Sequence, residues 1–260
     1  MVMGLDVFAE AFEDLDDQYV LIGGAAADLW FTGAGLDFRA TQDLDLVLCV
    51  DILGAGFVER FWAFVEQGRY QLKERADGTP IKYRFTKPAQ AGFPKMLELF
   101  AAAPFEIPTE QDIVPLSVDD EHSSLSAILL DDGYREVVLG SRKVIERVMC
   151  LTPHGLILLK ARAWLDLTER KANGDDVDSS DIRKHRNDVF SIAQLLVAGE
   201  DPEVPASVLA DMGQFVREMD EQRAEWSAVE ASLRAKNMPL NDVGQLIDIM
   251  RSHFGLLGQS

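Results

Sequence analysis

Six residues, Asp43-Leu44-Asp45-Leu46-Val47-Leu48, constrain this chain more than any others. On a strand, side chains two apart point to the same face. Read as a strand, the run sets Asp43 and Asp45 side by side and turns Leu44, Leu46 and Leu48 the other way, into a core. Carboxylates so placed repel each other unless positive charge sits between them. A divalent cation that takes hard oxygen ligands, magnesium or manganese, offsets that repulsion most directly. The run therefore predicts a strand with a buried face and a metal-binding face.

The residues just before it give that face a neighbour. Tyr19-Val20-Leu21-Ile22 reads as a short buried strand ended by glycine. Gly23-Gly24 makes a turn without Cβ atoms, where backbone can approach a ligand closely. Residues 25–31 read as the first turns of a helix, whose N–H groups attract phosphate. A glycine pair alone is an ordinary turn. Strand, glycine pair, helix and Asp-x-Asp strand in succession is a much rarer string.

Gly23-Gly24 followed by Arg39-x-Thr41-x-Asp43-Leu44-Asp45 resembles the nucleotidyltransferase superfamily with the polymerase-β-like fold. Within it the chain looks most like the branch holding the abortive-infection (AbiEii-type) toxins. The resemblance runs from residue 19 to about 200, strongest at this first motif. It implies an α+β fold, with a mixed-sheet nucleotidyltransferase core flanked by helices and followed by a helical C-terminal region. It also implies that Gly23, Gly24 and Thr41 lie at the nucleotide, that Asp43 and Asp45 hold metal, and that a later strand brings a third carboxylate. Many members have serine where this chain has Gly24, so a hydroxyl contact to phosphate is missing here.

The third acid can be sought from the residues. Pro94–Phe100 is strand-like, with Met96, Glu98 and Phe100 on one face and Leu97 and Leu99 on the other. A carboxylate among such neighbours is costly unless it is paired or on metal; otherwise its face is wet. With the family's need for an acid on such a strand, Glu98 is the expected third metal-site or base residue. Residues 81–86 form the preceding strand, and its Lys82 and Arg84 read as ordinary solvent-facing cations.

A net charge of −19 repels phosphate backbones, which disfavours general nucleic-acid binding and lowers the expectation of a large RNA acceptor. It does not exclude a triphosphate delivered with magnesium. No apolar run reaches membrane-span length, and the N-terminus lacks signal-peptide features. Cys49 and Cys150 lie in apolar surroundings, which suggests reduced thiols in a cytoplasmic protein.

The chain reads as bipartite, with domains 1–151 and 152–260. Residues 1–18 suggest an acidic helix, and residues 57–68 an amphipathic one. Residues 104–123, with three prolines, read as loop or extended. Residues 125–130 and 134–139 suggest two strands joined at Asp131-Asp132-Gly133. Thr152-Pro153 starts a helix, and the pattern stays helical to residue 254, with two or three helices in 205–254.

Two sites in that half carry charge in unusual places. Lys160 sits in an almost wholly apolar run, where it either snorkels to water or meets an anion. The resemblance implies contact with nucleotide phosphate. Further on, with Ser179, Ser180 or Asp181 as cap, Asp181, Lys184, His185 and Asp188 recur along one helix face. Such a stripe is ordinarily a solvated face, and His185 could simply pair with Asp188. The string Lys184-His185-x-x-Asp188-Val resembles a motif of the same relatives, which implies that Lys184 and Asp188 belong to the site. The expected activity is magnesium- or manganese-dependent transfer of a nucleoside monophosphate from an NTP to a hydroxyl of RNA, protein or a small molecule, with a possible cognate antitoxin as partner. Two alternatives are a catalytically silent nucleotide-binding module acting through a protein partner, and an interaction protein whose Asp-x-Asp strand binds calcium or nothing.

Overall fold

β1 (Tyr19–Ile22), buried on both faces, lies inside a seven-stranded mixed sheet of order β3-β4-β5-β2-β1-β7-β6. The computed structural model describes residues 2–39, 41–49, 53–74, 80–101, 128–129, 131–197 and 202–256, with backbone alone at 72–74, 80–83 and 101. β2 (Asp43–Leu48) runs antiparallel to β1, and Ile22 stands opposite Asp45. β5 (Met96–Ala101) runs parallel to β2, which sets Glu98 opposite Asp45. β4 (Pro80–Thr86) is antiparallel to β5 with Arg84 opposite Glu98, and β3 (Gln71–Glu74) closes that edge. On the other side β7 (Val148–Leu151) is parallel to β1, and β6 (Arg142–Ile145) is its antiparallel edge partner.

The alternation along β2 is as its sequence requires: Leu44 and Leu46 are buried, and Asp43 and Asp45 are half-buried. The leucine face is closed by α1 (Leu5–Ala11) and α3 (Ala55–Gly68) through an aromatic cluster. Phe8 stacks on Phe12 at 4.5 Å and meets the edge of Tyr19 at 5.3 Å, while Phe61 meets Phe85 at 5.3 Å. Packing on that face leaves the opposite side of β2 and β5 for charged groups.

The C-terminal half is helical. α5 (Pro153–Ala172) packs on α2 (Gly23–Gly33), α6 (Ser179–Ile192) and α7 (Ala206–Glu221). α8 (Trp226–Ala235) lies against α6, and α9 (Val243–His253) completes the set. One apolar core runs through residues on both sides of position 152. Trp30 on α2 donates its indole N–H to the carbonyl of Leu151, the last residue of β7, at 2.9 Å. No helix among the described residues is long and apolar enough to cross a membrane. Cys49 and Cys150 are buried free thiols, and burial pushes the Cys150 thiol up to about 12.

Several local expectations are corrected. The N-terminal helix ends at Ala11, and turns lead from there to β1. The expected strand at 134–139 is helix α4 (Asp132–Gly140), so no hairpin forms at Asp131. The Asp131 carboxylate accepts from the Gly133 and Tyr134 N–H groups, making the Asp-Asp-Gly string a helix cap. Tyr134, Val137 and Val138 then fall on one buried helical face, a spacing that short apolar runs share with strands. Asp131→Ala should cost about 1 kcal/mol of unfolding free energy, measured by urea titration. The hairpin in this region is β6–β7, turning through Glu146 (φ 48) and Arg147 (φ 65). Two residues with positive φ form the turn such hairpins favour, but without the Asn-Gly that announces it. α6 begins one residue earlier than the expected caps, with Asp178 accepting from the Ser180 N–H at 2.7 Å. Of the expected strand 125–130, residues 128–129 are helical and the rest lie outside the described residues, as do segment 104–123 and the Lys82 side chain.

Candidate functional site

The charged face of the sheet opens on a cleft of about 280 Å³. Its floor is Asp43 and Asp45 from β2 with Met96 and Glu98 from β5. Gly24 and Thr41 form one side, and Arg39, Arg84 and Lys184 supply cations around it. Six residues singled out from the sequence are thereby brought together: Gly24, Thr41, Asp43, Asp45, Glu98 and Lys184.

The parallel β2–β5 register is what sets Asp45 beside Glu98. Burial pushes the Asp45 carboxyl up to about 7, helped by the Glu98 charge and a hydrogen bond between the two side chains. Asp43 is raised by burial and by the same glutamate, against the pull of Lys184, Arg39 and Arg84. Glu98 is also ion-paired with Arg84, whose side chain is only 14% exposed. Arg84 is therefore not the solvent-facing cation its alternation suggested, because the antiparallel β4–β5 register turns it onto the acid.

The glycine pair is fixed by what surrounds it. Gly23 takes φ 66, and a Cβ there would fall on Asp45 Oδ2. A Cβ on Gly24 would stand 3.0 Å from Thr41 Oγ1 and 3.1 Å from Arg39 Nη2. Both glycines lie in the first turn of α2, so the helix starts directly at the cleft. Gly23→Ala should lose about 1–2 kcal/mol of stability from the left-handed backbone alone, read by urea unfolding.

Lys160 and Asp188 lie behind this cleft and do not line it. Lys160 is buried, and its Nζ donates to Asp188 Oδ2 at 2.9 Å. The lysine does meet an anion, but one that the chain itself supplies. Asp188 is 1% exposed and also accepts from Arg39, from Nε at 3.1 and 3.2 Å and from Nη2 at 3.1 Å. Burial alone would raise its carboxyl, yet Lys160 and Arg39 outweigh it and hold the group well below the usual range. The stripe on α6 therefore runs from exposed Asp181 and Lys184 to wholly buried Asp188. His185, half-buried between them, is held down to about 3 by burial and by the Lys160 and Lys184 charges, so its ring is neutral near pH 7. Its Nδ1 has no hydrogen-bond partner, and the local His185–Asp188 bond does not form.

Arg39, Arg84 and Met96 complete the cleft without having been singled out as site residues. Arg39 was visible as the first residue of the Arg-x-Thr-x-Asp string, and a buried Asp188 in need of a cation could have drawn attention to it. Arg84 and Met96 depend on strand register, which one sequence does not carry.

The carboxylate oxygens form a hard donor set with more negative charge than burial favours, which suits a small divalent cation. As arranged, no group of three or more His, Cys, Asp or Glu side chains among the described residues is disposed to hold a metal ion. Glu98 is engaged by Arg84 as well as by Asp45. The two-acid pair on β2 is therefore the part of the cleft that best fits a cation.

No family model matches the chain, and no curated protein matches it. Among solved structures, it is similar to the crystal structure of an antigenic nucleotidyltransferase-like protein from Paracoccidioides brasiliensis. Identity is 18%, coverage is 87% of this chain and 90% of that one, and the TM-score is 0.43.

Proposed function

We propose that this protein is a metal-dependent nucleotidyltransferase that moves a nucleoside monophosphate from an NTP to a hydroxyl acceptor. The observation that carries this reading is the Asp43–Asp45 pair on one strand face, beside Glu98 and next to a glycine pair that opens a helix. Asp43 and Asp45 would hold magnesium or manganese, with Glu98 completing the set once Arg84 lets it go. When bound, the ion supplies charge neutralisation on the triphosphate. The α2 N-terminus and Gly24 offer N–H groups to phosphate, and Arg39 and Lys184 add positive charge from the walls. Glu98 is also the group placed to take a proton from an acceptor hydroxyl. Positioning and electrostatics carry most of the catalysis in such a site.

The acceptor follows from charge. A surface of net −19 works against a large RNA and suits a protein hydroxyl or a polycationic small molecule. Toxin-like action restrained by a cognate protein partner belongs to the same proposal. The alternative, a silent nucleotide-binding module, draws on the Arg84–Glu98 ion pair, which gives the third acid a cation of the chain's own.

Calorimetry with ATP, GTP, CTP and UTP, each with and without magnesium, tests the reading. Metal-dependent binding of at least one is the expected result. Failure of all four to bind in the presence of magnesium would remove nucleotide chemistry from the cleft.

A further inference from the structure

Asp188 has two cations and no access to solvent. Its carboxylate accepts from Lys160 on α5 and from both Nε and Nη2 of Arg39, so one negative charge faces two positive ones. Lys160 is buried, whereas Arg39 is 27% exposed and lines the cleft. The surplus positive charge of the triad is thus delivered to the cleft wall. The side-on grip fixes the plane of the guanidinium and leaves Nη1 as the edge that Asp188 does not engage. Three further contacts hold the same segment: Arg39 lies over the Phe38 ring at 5.5 Å, Lys236 Nζ lies over the same ring at 5.6 Å, and Phe31 packs on Phe38 at 4.9 Å. A Cβ on Gly24 would stand 3.1 Å from Arg39 Nη2, so the fixed cation stands at the turn where α2 begins.

From this geometry we infer that Asp188 is a positioning residue, which holds Arg39 rigidly on the cleft wall as the cation that receives the phosphate groups of a bound polyphosphate. Asp188 touches no substrate itself. The inference rests on the nucleotidyltransferase reading for the identity of the ligand, but not for the pairing. A buried carboxylate bound to two cations would serve packing alone if both cations were buried. One of them is instead turned into the cleft, beside a helix N-terminus and opposite two acids.

Two measurements test this on the full chain. The first is the Arg39 Nε–H signal in a proton–nitrogen NMR spectrum, assigned by its loss in Arg39→Lys. It should be sharp and slow to exchange in the parent and should collapse in Asp188→Asn. Because that variant leaves two cations facing no charge, the double variant Lys160→Met/Asp188→Asn is measured beside it, with the second buried cation removed. The second measurement is calorimetry with magnesium and inorganic tripolyphosphate, which carries no base or sugar. Arg39→Gln and the double variant should each weaken binding by about tenfold, the worth of one charge-assisted hydrogen bond. Combining all three substitutions should weaken it no further, and Asp188→Glu should restore part of the loss. A sharp Arg39 signal without Asp188 overturns the inference whatever the nucleotide does, and so does undiminished tripolyphosphate binding in the double variant. If the signal collapses but the parent binds neither tripolyphosphate nor any NTP, the pairing stands. The phosphate role of Arg39 and the nucleotidyltransferase reading then both fall.

Discussion

Asp45→Asn should abolish the proposed magnesium-dependent nucleotide binding and leave the protein at least as stable as the parent. Both halves of this expected result come from the same carboxylate. Burial, the Glu98 charge and the Glu98 hydrogen bond push Asp45 up to about 7, so its charged form sits uneasily in the metal-free cleft. Asparagine keeps the shape and removes the charge, and replacing an unfavourably buried charge in this way is often neutral or stabilising. The same change takes away one of the two ligands that the proposed metal cannot do without. A metal's charge stabilisation is worth several kcal/mol, about a thousandfold in rate or more. Calorimetry with magnesium and NTP reads the first half, and urea unfolding of the metal-free protein reads the second. Parent-like binding would show that the two aspartates do not hold the ion. A loss of stability would show that Asp45 has a structural partner.

Asp188→Asn is the opposite case. Here the carboxylate is stabilised in its charged form, and two cations depend on it. Removing one partner of a buried ion pair costs about 3–5 kcal/mol, because the remaining charges are left uncompensated. The pH dependence has a definite sign. The folded-state pKa lies below the unfolded value of about 4, so the stabilisation is fully present above that value and is lost as pH falls below it. The urea midpoints of parent and variant should therefore be far apart at pH 7 and converge below about pH 4. A gap that does not shrink in acid would mean that Asp188 acts by shape and not by charge.

These two acids also mark what one sequence could and could not show. Asp45 was legible because its evidence is local: a period of two along β2, a leucine face, and a glycine pair upstream. Glu98 was legible as an acid in a strand, but its pairing with Arg84 was not, since it depends on the register of two strands. Asp188 was seen as part of a polar stripe. That it turns inward to meet Arg39 is a contact across 149 residues, and no spacing rule reaches so far. The mistaken hairpin at Asp131 failed for a different reason. An aspartate before a glycine serves either a turn or a helix cap, and only the burial of Tyr134, Val137 and Val138 on one face decides which.

The Arg39–Asp188 bridge also sets an order on the making of the molecule. Translation at about 5–20 residues per second puts about 7–30 s between the appearance of Arg39 and that of Asp188, 149 residues later. Throughout that interval the nascent chain carries both β2 carboxylates and the glycine turn, but its wall arginine lacks the carboxylate that fixes it. A polypeptide broken off before α6 therefore has the acids of the cleft without its finished wall. The segment that carries α6 is what gives the pair of aspartates a wall with a fixed cation.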